Sequence, residues 1–368
     1  MAAYTTNYQF DVPTSSDLVK NGATQIALLG QDLDTFLFRP FSRNAMINGG
    51  CEIAQRGTAA VTLTAASFLY PVDRMFVGRS SGTTGATAQQ INSTTLTGFN
   101  NAVRIQRTAG NTSTNDLYIG QSLETLNSTP LAGQTVTLSF YARAGANYSA
   151  ASSNLAVRLY SGTGTDQSGL GSAFTGTASP VSTSQVITTS WVRYSFTATI
   201  SSAATQLQFL AFYTPSGTAG AADYFDITGI MLEVGSQVSP FVRAGGTIQG
   251  ELAACQRYYE TTYDIGTAAG TATETGSYGF CVGTNTSGAN YFTYANAFKV
   301  TKRATPTITL YDLSGNSGKV NKVSAVDLTM TANQTGTADR IGQSEFRVYA
   351  ALGTAGGFYG HYVASAEL

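Results

Sequence analysis

"SWVRYSFTATI" occupies residues 190–200, and its alternation decides how the rest of the chain is read. Val192, Tyr194, Phe196, Ala198 and Ile200 fall on every second position, with Arg193, Ser195, Thr197 and Thr199 between them. A period of two belongs to a strand with one face on a core and the other turned outward. TVTLSFYARA (135–144), NLAVRLYSG (154–162) and TQLQFLAFYT (205–214) alternate too, and YFDITGIMLEVG (224–235) is a further strand, interrupted at Gly229. Gly, Ser, Thr and Asn clusters separate these runs, so residues 41–245 are expected to form an antiparallel β-sandwich. Trp191, the lone tryptophan, shares its strand with Arg193 and is expected to be buried.

Downstream, GELAACQRYYETTY (250–263) has Leu252, Cys255 and Tyr259 at helical spacing, so residues 246–263 are expected to be a short linker helix. Strands resume in SYGFCVG, NYFTYANAFKVTK, TPTITLYD, EFRVYAAL and GFYGHYVASAEL, giving a second, C-terminal β-sandwich over 264–368. Upstream, Ile26, Leu29, Leu33 and Phe36 recur at spacings of three, four and three, the seam of a short helix stopped by Pro40. So short a helix is marginal in water without a partner. Residues 1–40 are therefore expected to be an attachment or oligomerisation segment acting through those four side chains, the alternative being an amphipathic helix packed on its own domain.

Composition narrows the function. Only 11% of the 368 residues are charged, against roughly 25% in ordinary soluble domains. The net charge is −1 with no basic run, which argues against a nucleic-acid partner. No apolar run approaches the roughly 20 residues of a membrane span, so no membrane insertion is expected. MAAYTTNYQF lacks the basic and apolar regions of a secretory signal, so synthesis in a cytoplasm is expected. Three cysteines with no CxxC pair read as free thiols.

Chemistry finds little support. His361 is the only histidine, so any serine or cysteine triad would have to use it. No zinc-protease, P-loop or dinucleotide fingerprint occurs. Pairs such as Asp223 with Asp226, or Glu251 with Glu260, carry no context that marks a glycosidase. No enzymatic activity is expected. The residues singled out for ligand binding are Tyr291, Tyr294, Tyr359 and His361, on the aromatic-rich C-terminal strands.

An ordered set of motifs then carries a resemblance. RNAMINGGCEIAQRG (43–57) supplies Asn44, Asn48, Gly49, Gln55 and Arg56, followed by Asp73, Arg74 and Phe76 in YPVDRMF. Trp191, Arg193, Tyr194, Phe196 and Thr197 come next, then Asp226 to Phe241, then CQRYY at 255–259 and the closing VASAEL. Together these resemble the tail-fibre and related appendage proteins of tailed bacteriophages, over nearly the whole chain. Two positions depart from that pattern: Met75-Phe76 stands where Trp is common after Asp-Arg, and Ser365 where Asp is common.

The resemblance implies a jelly-roll sandwich related to carbohydrate-binding modules. It further implies a structural role in the virion as a tail fibre that binds a host-surface glycan. A homotrimer would attach through its N-terminus to a tail, baseplate or capsid protein. Alternatives are a capsid-decorating or head-fibre protein and a carbohydrate-active enzyme. No cofactor is expected, except that such jelly rolls can hold structural calcium, for which Asp223 and Asp226 are the candidates. The Asn44–Arg56 segment itself is expected to be a buried polar seam that locks a strand, with Arg56 forking to a carboxylate near Asp73 and Arg74.

Overall fold

The computed structural model describes residues 3–4, 11–12, 21–37, 44–65, 68–82, 84–93, 95–281, 291–292, 296–324, 329–350 and 357–368. Near the N-terminus, β1 (Ala3–Tyr4) pairs with β2 (Asp11–Val12), and α1 spans Gly22–Leu37. Alternating sequence then builds two antiparallel sheets of six strands each. One is ordered β11-β10-β13-β8-β5-β4. Its strands are β4 (Leu69–Val72), β5 (Met75–Arg79), β8 (Leu117–Ser122), β10 (Asn154–Gly162), β11 (Ala178–Val186) and β13 (Gln206–Tyr213). The other is ordered β12-β9-β14-β7-β6-β3. It contains β3 (Val61–Thr62), β6 (Ala86–Asn92), β7 (Asn101–Arg107), β9 (Thr135–Ala144), β12 (Val192–Thr199) and β14 (Tyr224–Val234). The chain passes repeatedly between the sheets, as in a jelly roll, with α2 (Thr125–Ser128) on one connection.

The core lies between the sheets. Leu138 and Phe140 from β9, Leu159 from β10, Phe209 from β13 and Ile227 from β14 are fully buried there. Each such side chain contributes about 1.5–3 kcal/mol by leaving water. Phe140 faces Tyr194 in register across β9 and β12, with ring centroids 6.1 Å apart, and reaches Phe209 of the opposite sheet at 5.8 Å. The interruption at Gly229 is a bulge in β14, with φ at 63°. A Cβ there would lie 2.8 Å from the Phe99 ring and 2.9 Å from that of Tyr141, so this turn of the strand admits only glycine without displacement.

Thr247 caps α3 (Ile248–Gln256) by accepting a hydrogen bond from the Gly250 amide. Tyr259 does not extend that helix as its spacing from Leu252 and Cys255 predicts. It begins β15 (Tyr259–Thr261), held opposite Ser365 by strand pairing. The tertiary pairing overrides the local period. The C-terminal spine is β23 (Gly357–Ser365), which pairs with β15 and β19 (Thr307–Tyr311) along one half. Along the other half it pairs with β16 (Tyr278–Cys281) and β20 (Lys319–Val323). From β20 the same antiparallel sheet continues through β21 (Met330–Asp339) to β22 (Glu345–Ala350), which carries β17 (Tyr291–Phe292) and β18 (Asn296–Ala297). It bends around a core of its own that includes Phe298, Val320, Phe346, Val348, Phe358 and Tyr362.

Candidate functional site

The Asn44–Arg56 segment is a structural clasp. Asn44 Nδ2 donates to the carbonyls of Ile230 (3.0 Å) and Val242 (3.1 Å), while its Oδ1 accepts from the amides of Met46 and Leu232. Asn48 likewise donates to Ile53 and Asp73 carbonyls and accepts from the Glu52 and Ile53 amides. Each buried amide side chain thus replaces backbone partners that no strand could supply. Glu251 of α3 caps the amides of Asn48 and Gly245.

Arg56 pairs with Asp73 at 3.0 Å and with Glu367 at 2.8 Å, and Glu367 also pairs with Arg74. Both guanidiniums lie over aromatic rings of the connecting segment, Arg56 over Tyr259 and Arg74 over Tyr258, each 3.6 Å from the centroid. Burial raises the Glu367 carboxyl, but Arg74 and Arg56 outweigh it and hold that group below the ordinary range. For Asp73 burial wins over Arg56 and Gln55, pushing its carboxyl up to about 6. This cluster joins the jelly roll to the C-terminal strands.

A second polar row lies on the outer face of the β12-β9-β14-β7-β6-β3 sheet. Asp226 of β14 stands in register with Arg104 of β7 and Arg143 of β9. Arg104 reaches its two oxygens at 2.8 and 3.0 Å, and Arg143 Nε donates to one of them at 2.8 Å. The carboxylate is 0% exposed, the arginines 22% and 21%. Tyr224 lies under Arg104 at 3.5 Å and Trp191 beside Arg143 at 4.8 Å, so an aromatic ring closes each end. Burial lowers the Arg104 guanidinium, yet Asp226 outweighs it and holds the group above its ordinary value. Trp191 is not in the core as a lone tryptophan would be; it is half-buried immediately before β12, on the face opposite Tyr194. The alternation of SWVRYSFTATI carries that signal, because Trp191 falls in phase with Arg193 and Ser195. Arg193 itself ties down the return segment, donating to Ser239 O at 2.7 Å, while Ser239 caps the buried Glu233.

The calcium candidates are engaged elsewhere. Asp226 belongs to this arginine row, and Asp223 pairs with buried Arg107 at 2.9 Å while accepting from Ser149 N and Oγ. A cation at either would have to displace a guanidinium. No group of three or more His, Cys, Asp or Glu side chains suited to a metal occurs among the described residues. Glu260 is ion-paired to buried Lys302 at 2.6 Å and accepts from the Lys299 amide and the Tyr362 hydroxyl. Cys51 and Cys255 are buried free thiols, and burial pushes the Cys51 thiol up to about 12.

Of the aromatic candidates, His361 and Tyr359 have side chains among the described residues. His361 is 0% exposed, stacked on Tyr263 at 4.0 Å, with Nδ1 3.0 Å from Thr262 Oγ1 and Nε2 3.0 Å from Thr273 O. It ties Thr262 and Thr273 to β23 and offers no surface to a ligand, a correction to its sequence assignment. Tyr359 is half-buried on β23, its ring over Gly279. Tyr291 begins β17, and its side chain lies outside the described residues, as does the whole of Tyr294. Ile26 and Leu33 on α1 are 66% and 42% exposed, Leu29 is half-buried, and the Phe36 side chain lies outside the described residues. No helix among the described residues is long and apolar enough to cross a membrane.

No protein-family model matches this chain, and no curated protein does. Among solved structures, a CBM4 protein is 16% identical with a TM-score of 0.33, over 51% of this chain and 98% of that one. The enzymatically active domain of bacteriophage CBA120 tailspike protein 4 is 12% identical with a TM-score of 0.32, over 53% of this chain and 22% of that one. TmCBM61 in complex with β-1,4-galactotriose is 15% identical with a TM-score of 0.31, over 53% of this chain and 100% of that one.

Proposed function

We propose that this chain is a non-catalytic appendage protein of a tailed-phage virion, a tail fibre that binds a host-surface glycan through its jelly roll. The carrying observation is the outer-face row in which half-buried Trp191 and Tyr224 bracket Arg143, Asp226 and Arg104. Aromatic rings beside fixed polar donors suit a sugar, whose ring offers C–H faces and hydroxyls together. The ordered motifs that resemble phage appendage proteins support the virion setting, and in this chain most of them build clasps. The one histidine is buried and bonded to Thr262 and Thr273, which supports binding over catalysis.

Exposed Ile26 and Leu33 support attachment or self-association through α1, with a homotrimer as the assembly. The test is immunogold labelling of particles with antibody to this chain, together with a glycan array probed with the full-length protein. Labelled tails and retained glycans without product release are expected. Label on heads would indicate a head fibre, and released sugar would indicate an enzyme. Label on neither heads nor tails would remove the virion reading.

A further inference from the structure

Resting on the glycan-binding reading above, we propose that the Trp191–Arg143–Asp226–Arg104–Tyr224 row takes a sugar bearing a carboxylate, such as a uronic or sialic acid. Two guanidiniums share one carboxylate, leaving the row one positive charge in excess. That charge is what the solvent meets, because the arginines are about one-fifth exposed (22% and 21%) and Asp226 not at all. The hydrogen-bonding character follows the same asymmetry. Both Asp226 oxygens are covered by arginine N–H groups. Among the described residues Arg143 Nη2 donates to nothing, and Arg104, which also bonds Tyr224, pairs with no carboxylate besides Asp226.

A neutral sugar needs acceptors as well as donors for its hydroxyls. This row presents guanidinium donors and has withdrawn its carboxylate, so it fits an acceptor-only group. Stacking on Tyr224 and Trp191, together with the grip of Asp226, fixes both guanidinium planes before a ligand arrives. Planar forks held in place match a planar carboxylate bidentately, while the two rings accept the adjoining C–H faces.

The experiment uses the full-length protein and three acidic polymers: polygalacturonate, hyaluronate and polysialic acid. Each is paired with the same polymer after its carboxyls are reduced to alcohols, and a sulfated neutral polymer is added. At least one acidic polymer should bind, weakening at least tenfold on carboxyl reduction and again on raising salt from 50 to about 500 mM. Arg143→Gln and Trp191→Ala should each reduce that binding about tenfold while thermal melting stays near that of the parent. Comparing acidic and reduced ligands on the unmodified protein tests the carboxylate preference without any variant. Equal binding of acidic and reduced forms, lost in Trp191→Ala, would overturn the acidic preference and leave the glycan reading standing. Preference for the sulfated polymer would overturn the carboxylate assignment. Binding untouched by both substitutions would overturn the location. Absence of binding to these polymers would overturn the proposal, and absence across the glycan array would overturn the glycan reading with it.

Discussion

Arg56 and Glu367 are 311 positions apart in sequence and 2.8 Å apart in space. The contact lets one carboxylate serve two arginines, since Glu367 also holds Arg74, whose side chain is only 2% exposed. Removing the carboxylate leaves Arg74 buried with no carboxylate among the described residues and Arg56 with Asp73 alone. We predict that Glu367→Ala destabilises the chain by about 3–5 kcal/mol, the cost of breaking a buried pair from one side. Glu367→Gln, which still accepts hydrogen bonds, should cost less. Urea denaturation of the two variants measures the difference, and near-parent stability of Glu367→Ala would mean that the clasp does not brace the fold.

Asp73 gives the clasp an unusual pH response. Burial raises its carboxyl from 3.8 to about 6 in the folded chain. Between those values the folded state keeps a proton that the unfolded state has released. Its contribution to stability therefore grows as pH falls from 6 towards 3.8, opposite to the usual paired carboxylate. Asp73→Asn should remove this slope, which thermal melts at closely spaced pH values would detect.

His361 acts in the reverse direction. Burial lowers its pKa, only partly offset by the hydrogen bond to Thr273 O. The unfolded histidine takes up a proton near pH 6.5, while the folded one resists. Stability should therefore decline as pH falls below about 6.5, until the folded ring is itself protonated. Thr273 O can only accept, so Nε2 carries the proton and Nδ1 accepts from Thr262. Nitrogen NMR of the single imidazole should show that neutral tautomer at pH 6, and a charged ring there would refute the assignment.

The two adjacent glycines of RNAMINGGCEIAQRG differ in what surrounds them. A Cβ on Gly49 would lie 2.0 Å from the Ile230 carbonyl oxygen, whereas on Gly50 its nearest neighbour would be the flexible Glu52 side chain, at 3.3 Å. Gly49→Ala must move backbone and should cost about 1–3 kcal/mol. Gly50→Ala should be close to neutral. Equal losses in both would contradict this distinction.

Replacing Ile26 and Leu33 together by Asp tests α1 as an assembly surface. Light scattering of the full-length protein should give a trimer for the parent and a smaller mass for the variant, with the β-sheet circular dichroism unchanged. A monomeric parent at micromolar concentration would rule out self-association through this helix.

Much of the fold is legible in the sequence because period-two alternation is a local signal: β9, β10, β12, β13 and β14 lie where their sequences alternate. The break at Gly229 is legible too, since glycine inside so apolar a strand marks an interruption, which register and a φ of 63° make a bulge. Tyr259 misleads because helical spacing continues through a segment that pairing with Ser365 draws into a sheet. The arginine row is hidden for another reason. Arg104, Arg143, Asp226 and Trp191 come from four separate segments, and only strand register brings them together. His361, conspicuous as the single histidine, attracts a binding role that its burial removes.

The clasp also orders events during synthesis. Arg56 and Arg74 leave the ribosome about 300 residues before Glu367 does, at roughly 5–20 residues per second an interval of tens of seconds. Throughout that interval the two-sheet sandwich can form its apolar core, yet Arg56 has only Asp73 as a counter-ion and Arg74 lacks the carboxylate it will pair with. A chain interrupted before residue 367 would leave Arg74 with no carboxylate partner among the described residues. The pairing that joins the jelly roll to the C-terminal strands can thus close only after every strand of the sandwich has been made.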